Sequence, residues 1–421
     1  MSQFSTSTFN QIHKSNFMNI NNNNNLNNSL QIILRIRPDN QIENNINNKF
    51  SYKINPIKNT ISIQNEKSYT FNKIYSSSSK QNDIFINSIK SLCDQYLNGK
   101  NVTLLSYGQN QSGKTFTLFG QNLLYKNNNV NNKNINNNNF NINNAIFEKG
   151  IIFYVIEYIF LQIDNKKIKN INELNISFIE NVNENNYDLF ESKSNNNYNK
   201  NNNNNNNVIV NENYIKITIK SYLDFIGILK NNFKFNNNNI KKDFNESNLI
   251  FSISYETDNN KYIYFNLVKL ISSEKKSNNN NNFKTLSVLN NVIYSLLNNT
   301  INNQFNTNTY NNNNINNNIF SLNNNINSNK KQYHIPYRDS KLTYSLRHSL
   351  TINSKIMFIF NIFPTCSNFI ETLSTLNYSI SIKKTINNNV NFFDINNNNN
   401  NNNSNNNTNN NISYNKEDLI R

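Results

Sequence analysis

Along this chain apolar runs and long stretches of asparagine take turns, and the two scarcely mix. Leu30–Pro38, Val102–Tyr107 and Lys355–Phe363 are short, nearly unbroken apolar runs, the pattern of strands buried on both faces. Asn175–Ile179 and Leu249–Tyr255 alternate apolar with polar residues, as half-buried strands do, and Lys261–Leu270 joins them. Apolar residues return at helical spacing over Gln81–Leu97, Gly150–Ile163, Ser221–Asn231, Phe283–Asn298 and Ser340–Leu350. Strands interleaved with helices predict an α/β fold built on a central sheet.

Asparagine fills roughly a quarter of the 421 residues, in runs at about 21–28, 127–144, 195–207, 236–239, 278–282, 311–327 and 396–411. The runs fall between the predicted elements, so they read as solvated, disordered insertions. They lack the apolar area to fold, and loop closure entropy rises only slowly with length. Roughly 300–330 residues are left without them, enough for one large core. The expected layout is a polar segment over 1–29, a single domain with insertions over 30–388, and a disordered Asn-rich tail over 389–421.

Composition then narrows the classes. Cys93 and Cys366 stand far apart with no CxxC spacing, which argues against a disulfide scaffold or zinc module and for a reducing compartment. His13, His334 and His348 are scattered. The N-terminus has no apolar stretch for a signal peptidase. The longest apolar run, Ile151–Ile163, carries Glu157 and is shorter than the ~18–20 residues that span a bilayer. A cytoplasmic chain without membrane insertion is expected. Its net charge of +16 would attract acidic partners: nucleic acid, anionic membrane or an acidic protein polymer.

One motif carries chemistry. Gly108, Gln109, Asn110, Gln111, Ser112, Gly113, Lys114 and Thr115 match GxxxxGK[ST], directly after the predicted strand Val102–Tyr107 and before a helix-compatible stretch from Phe116. In that context backbone N–H groups at a helix start point at phosphates, favoured by the helix dipole. Lys114 supplies charge for the terminal phosphates, and the Thr115 hydroxyl can ligate Mg²⁺. ATP with Mg²⁺ is the expected ligand.

These residues sit inside a wider likeness. YGQNQSGKTFTLFG (Tyr107–Gly120), LRIRP (Leu34–Pro38), SFIENVNENNYDLF (Ser177–Phe190), FKTLSVLNNVIYSLL (Phe283–Leu297), HIPYRDSKLTYSLRHSL (His334–Leu350) and ETLSTLNYS (Glu371–Ser379) follow in the order of the kinesin motor domain, which the chain resembles over about residues 30–388. The resemblance implies a P-loop NTPase fold of kinesin type, with helices on both faces of the sheet, and a microtubule-based motor. It implies that Arg35, Pro38 and Tyr107 flank the adenine and that Gly108–Phe116 hold the phosphates, with Thr115 on the metal. It places a microtubule-facing surface on Lys284, Tyr337, Arg338 and Lys341, where basic groups suit the acidic surface of tubulin.

The phosphate-sensing segments depart from the family pattern. Its DLAGSE aligns with Lys269-Leu270-Ile271-Ser272-Ser273-Glu274, so Lys269 replaces the Asp that anchors the Mg²⁺ shell through water, and Ser272 replaces the sensor glycine. An ungapped count sets its SSRSH on Phe244-Asn245-Glu246-Ser247-Asn248, with Glu246 in place of the Arg that pairs with the switch glutamate. Glu246 would then repel Glu274. The resemblance makes Glu274 and Ser247 the catalytic candidates, and two altered groups imply slow or impaired hydrolysis.

Two functions therefore compete: a motor with rearranged switch chemistry, and a non-motile microtubule binder that holds nucleotide without productive turnover. A nucleic-acid role is set aside because no fold motif for it is present. After Ser379 the stretch SIKKTINNNVNFF resembles the start of a kinesin neck linker, and no apolar heptads follow, so a monomer associated with the cytoskeleton is expected.

Overall fold

The computed structural model describes residues 29–38, 51–63, 67–120, 148–164, 171, 173–190, 214–232, 244, 247–272, 281–312 and 332–384. Twelve strands form within these. They are β1 (Leu30–Ile36), β2 (Tyr52–Asn55), β3 (Thr60–Ile63), β4 (Lys67–Thr70), β5 (Lys73–Tyr75) and β6 (Val102–Gly108), then β7 (Leu174–Val182), β8 (Asn185–Asp188), β9 (Ile217–Ile219), β10 (Asn248–Glu256), β11 (Tyr262–Lys269) and β12 (Lys355–Ile362). The main sheet runs β5-β1-β12-β6-β11-β10-β7-β8, with β9 also on β7. Its β5-to-β11 half is parallel, and its β11-to-β8 half antiparallel. A small antiparallel sheet, β2-β3-β4, stands apart.

Because successive side chains of a strand point to opposite faces, each apolar strand feeds two cores. Ile33, Leu104, Phe251, Leu267 and Ile359 face one side. There they meet α1 (Gln81–Leu97, with a π-helical middle turn at Phe85–Ile89) and α3 (Ile151–Asp164). The same layer takes in α2 (Lys114–Phe119) and α4 (Tyr222–Asn232). Leu34, Leu105, Ile250, Val268 and Phe360 face the other side and meet α5 (Asn281–Asn312), α6 (Lys341–Ser345), the helical residues 369–384 (α7) and the small sheet. Helices on both faces match the expected architecture. No helix among the described residues is long and apolar enough to cross a membrane.

Three expectations need correction. The helix predicted over Ser340–Leu350 stops at Ser345 and goes over into tighter turns, in which Arg347 N bonds Tyr344 O and Ser349 N bonds Leu346 O. Ser345 Oγ donates to Lys341 O, Arg347 Nη1 to Tyr344 O and Tyr337 Oη to Leu350 O. The helix predicted over Phe283–Asn298 runs from Asn281 to Asn312 and so enters asparagine runs that were expected to lie outside every element. Finally, α7 and the small sheet carry no clear apolar period and were not anticipated.

The ends of the 121–147 stretch are closed at its base. Gly120 and Lys149 form a β-bridge, and a Cβ on Gly150 would lie 2.2 Å from Gly120 N. Replacing residues 122–146 by a four-residue Gly/Ser linker should therefore leave the unfolding free energy within about 1 kcal/mol or raise it, since a shorter loop closes more cheaply. Gly150→Ala should cost about 2–3 kcal/mol by overpacking. Urea unfolding reads both.

Candidate functional site

The phosphate loop leaves β6 between two parallel neighbours, at the carboxyl ends of the strands where α/β sheets bind ligands. Gly108 pairs with Asn361 of β12, and a Cβ there would stand 2.0 Å from the Asn361 carbonyl oxygen. Its φ of 154° and that of Gly113 at 93° both lie where side chains are disfavoured. Gly113 is the N-cap of α2, so Lys114 and Thr115 occupy the helix's first turn.

Lys114 is buried, and its ammonium is drawn into the loop. It donates to the carbonyls of Gly108 and Gln109, each at 2.7 Å, and to Ser272 Oγ at 3.0 Å. Ser112 Oγ donates to Gln109 O at 2.8 Å. Gln109 faces the interior, donating to Phe363 O at 3.2 Å and accepting from Thr372 Oγ1 at 2.8 Å, which ties the loop to α7. Asn110 and Gln111 form the outer lip, Gln111 with a positive φ of 57°. Thr115 is buried at the start of α2, and its hydroxyl has no side-chain hydrogen bond among the described residues.

The segment after β11 meets this cradle from the side. Lys269, which pairs with Ser106 of β6, is 1% exposed. Its ammonium donates to Ser247 O at 2.7 Å and to Phe244 O. The side chain thus reaches the segment that precedes β10. The first residue of β10 adds a second link, where Ile271 N donates to Asn248 Oδ1 at 2.8 Å. Ser247 is itself buried, its hydroxyl donating to Phe244 O at 3.3 Å. Glu246 and Glu274 lie outside the described residues. Among those described, no group of three or more His, Cys, Asp or Glu could hold a metal by itself.

A model of the kinesin motor domain matches residues 35–385 of this chain. The chain belongs to the kinesin motor-domain family. Kinesin heavy chain of Botryotinia fuckeliana is 28% identical over 371 residues, covering 85% of this chain and 37% of that protein. Human kinesin-like protein KIF15 is 28% identical over 368 residues, covering 83% and 24%. The chain therefore spans little more than a third of the kinesin heavy chains it matches. A crystal structure of the Drosophila kinesin family member Kin10/NOD, in complex with divalent manganese and ADP, shares the fold. Its TM-score is 0.58 at 21% identity, covering 85% of this chain and 98% of that one.

The residues that the resemblance sets beside an adenine are Arg35, Tyr107 and Pro38. Arg35 lies inside, on the same face of β1 as Ile33, and donates to Gln81 Oε1 at 2.9 Å and Thr117 Oγ1 at 2.7 Å. Its guanidinium stacks 5.3 Å from the Phe116 ring, and burial lowers its pKa to about 10. Tyr107 is 3% exposed and packs 4.7 Å from the Tyr378 ring. Strand alternation buries both side chains, Arg35 on one face of the sheet and Tyr107 on the other. Pro38 is exposed just past the strand.

Arg37 is the rim residue that sequence reasoning passed over. It lies beyond the end of β1, donates to Gln111 O at 2.6 Å and covers the Phe363 ring at 4.1 Å. Pro38, which ends the strand, was the available signal.

The second expected surface is assembled around one carboxylate. Glu184 accepts from Lys341 N at 2.5 Å and from Thr285 Oγ1 at 3.0 Å, joining the start of α6 to α5 beside Lys284. Lys284, Arg338 and Lys341 are exposed. Tyr337 is half-buried, and desolvation pushes its pKa up to about 12.

Arg35 holds α2 by charged hydrogen bonds that water cannot replace. Arg35→Ala should lower the unfolding free energy by about 3 kcal/mol, measured by urea denaturation, with nucleotide affinity falling alongside.

Proposed function

We propose that this chain is a kinesin-like microtubule-binding protein that holds ATP with Mg²⁺ in the Gly108–Thr115 cradle and turns it over slowly. The observation that carries the reading is the contact of Lys114 with Ser272 at 3.0 Å. It joins the phosphate-binding lysine to the segment that must sense the terminal phosphate. Backbone N–H groups at the start of α2 add a favourable dipole for anions. The Drosophila structure, in complex with divalent manganese and ADP, supports a nucleotide and a divalent ion here.

Mg²⁺ needs few protein ligands when phosphate oxygens and waters complete its shell, and the Thr115 hydroxyl fits as one of them. When bound, the ion neutralises charge on the phosphate oxygens. Lys269 does not add a second ligand, since its ammonium is committed to the carbonyls of Ser247 and Phe244. What a metal-anchoring carboxylate does in other kinesins is here a direct tether between the two switch segments.

That tether favours slow turnover. Positioning water and phosphate requires preorganised groups that tighten in the transition state, and Lys269 is engaged with backbone before any ligand arrives. The same observation favours the second reading, a static binder of microtubules in the cytoplasm. On either reading Lys284, Arg338 and Lys341 meet the acidic face of tubulin, with encounter steered by charge.

Stimulated by saturating microtubules, turnover should stay near or below about 0.1 per second, a loss of 10²–10³ from a typical ~10 per second. Lys114→Ala should abolish nucleotide binding and so exclude a contaminating ATPase. Several turnovers per second would overturn the slow-turnover reading. Arg338→Ala with Lys341→Ala should weaken microtubule co-sedimentation about tenfold and flatten its salt dependence. The Glu184 contact survives in that variant because it uses the Lys341 backbone N–H.

A further inference from the structure

A file of three buried asparagines crosses the interior from the sensing segment to the expected microtubule-facing helix. Ile271 N donates to Asn248 Oδ1 at 2.8 Å, Asn248 Nδ2 to Asn181 Oδ1 at 3.2 Å, and Asn181 Nδ2 to Asn186 Oδ1 at 2.8 Å. Asn186 Nδ2 donates to Ser345 Oγ at 3.0 Å, and that hydroxyl donates to Lys341 O at 2.9 Å. The three amides are no more than 6% exposed. Asn186 Nδ2 also donates to Tyr214 Oη at 2.9 Å, so the file branches at its far end, and the Ile271 N–H at its start fixes which way each amide faces. Hydrogen bonds aligned in one sense polarise one another.

Both ends lie at functional positions. Next to Ile271 is Ser272, on Lys114; next to the Ser345 contact is the first turn of α6 with Lys341. The hairpin that carries the file, β7–β8, turns through Asn183 and Glu184, both with positive φ at 47° and 62°. A two-residue turn of this kind normally takes glycine second. Glutamate in that conformation costs about 1 kcal/mol or more, and such strain persists where surrounding contacts impose it. The contacts are those of Glu184 with Lys341 N and Thr285 Oγ1. Stability alone does not call for the file, because an apolar pair of the same shape can replace a buried hydrogen-bonded pair almost neutrally.

We infer that the β7–β8 hairpin couples the two sites, with Asn248, Asn181 and Asn186 positioning α6 according to the state of Ile271 and Ser272. The inference rests on the proposed nucleotide site and adds the residues that pass its state on.

Hydrogen exchange of the full chain, followed on peptides covering 337–350, tests it, with a fluorescent ATP analogue titrated in parallel to score binding. In the unmodified chain a non-hydrolysable ATP analogue with Mg²⁺ should change exchange of the 341–346 amides about fivefold or more, the lower range of allosteric coupling. In Asn181→Leu/Asn186→Leu the analogue should bind as before and the response should vanish. Should that variant fail to fold by circular dichroism, Asn186→Ala cuts the file at one position and takes its place. A variant that responds as the unmodified chain does, or an unmodified chain that binds the analogue with no change at 341–350, overturns the coupling. No binding by the unmodified chain overturns the proposed function, and the coupling with it.

Discussion

The site depends on β6 ending between β12 and β11. That register sets Gly108 against Asn361 and Ser106 against Lys269, so a loop, a helix start and the segments before β10 and after β11 converge at the carboxyl ends of the central strands. The approach of Gly108 to the Asn361 carbonyl leaves no room for a side chain. Asn361 in turn donates to Ser106 Oγ at 2.8 Å and accepts from Thr117 Oγ1 at 2.9 Å, which locks the strand ends to α2. Arg35 completes the lock from β1 through Thr117 and Gln81. The floor of the cradle is therefore cross-linked by buried side-chain hydrogen bonds from β1, β6, β12 and α2.

Two lysines converge at these strand ends, and their surroundings assign them different work. Lys114 holds loop carbonyls and a serine hydroxyl, neutral acceptors that an anionic phosphate can outcompete, because charge-assisted bonds are roughly twice as strong. Lys269 holds carbonyls of the segment before β10 while 1% exposed, and withdrawing it would strand a charge in the interior. Lys269 thereby joins the end of β11 to the residues just before β10.

Much of this was legible in the residues. The unbroken apolar runs of β1, β6 and β12 marked the central strands, and GxxxxGK[ST] fixed the cradle between a strand and a helix. What escaped reading did so for identifiable reasons. The buried face of α7 is carried by Thr372, Thr375, Leu376, Ser379 and Ile382, so its helical period is written largely in hydroxyl residues. Strands β2, β3 and β4 are four residues each with one exposed or half-exposed face, too short for alternation to stand out. Arg35 and Arg37 differ by one strand period, and only the end of β1 at Ile36 sends the first inside and the second to the rim. Lys269 read as a charge in conflict with a metal; nothing in the alignment reveals that its side chain is long enough to reach residues 244 and 247.

Asparagine is the residue this chain uses most freely, and its two settings show why context decides its worth. In runs it offers donors and acceptors that water satisfies, with no apolar area to drive collapse. Buried, the same amide must find both a donor and an acceptor or lose the cost of its desolvation. Asn248, Asn181 and Asn186 meet that demand by serving one another, which ionised carboxylates, having no donor, could not do. An interior built this way gives up little stability and fixes the direction in which each amide faces. Movement at Ile271 takes away the donor to Asn248 Oδ1 first, and the penalty of leaving that buried acceptor unpaired is what makes the hairpin a candidate for transmission.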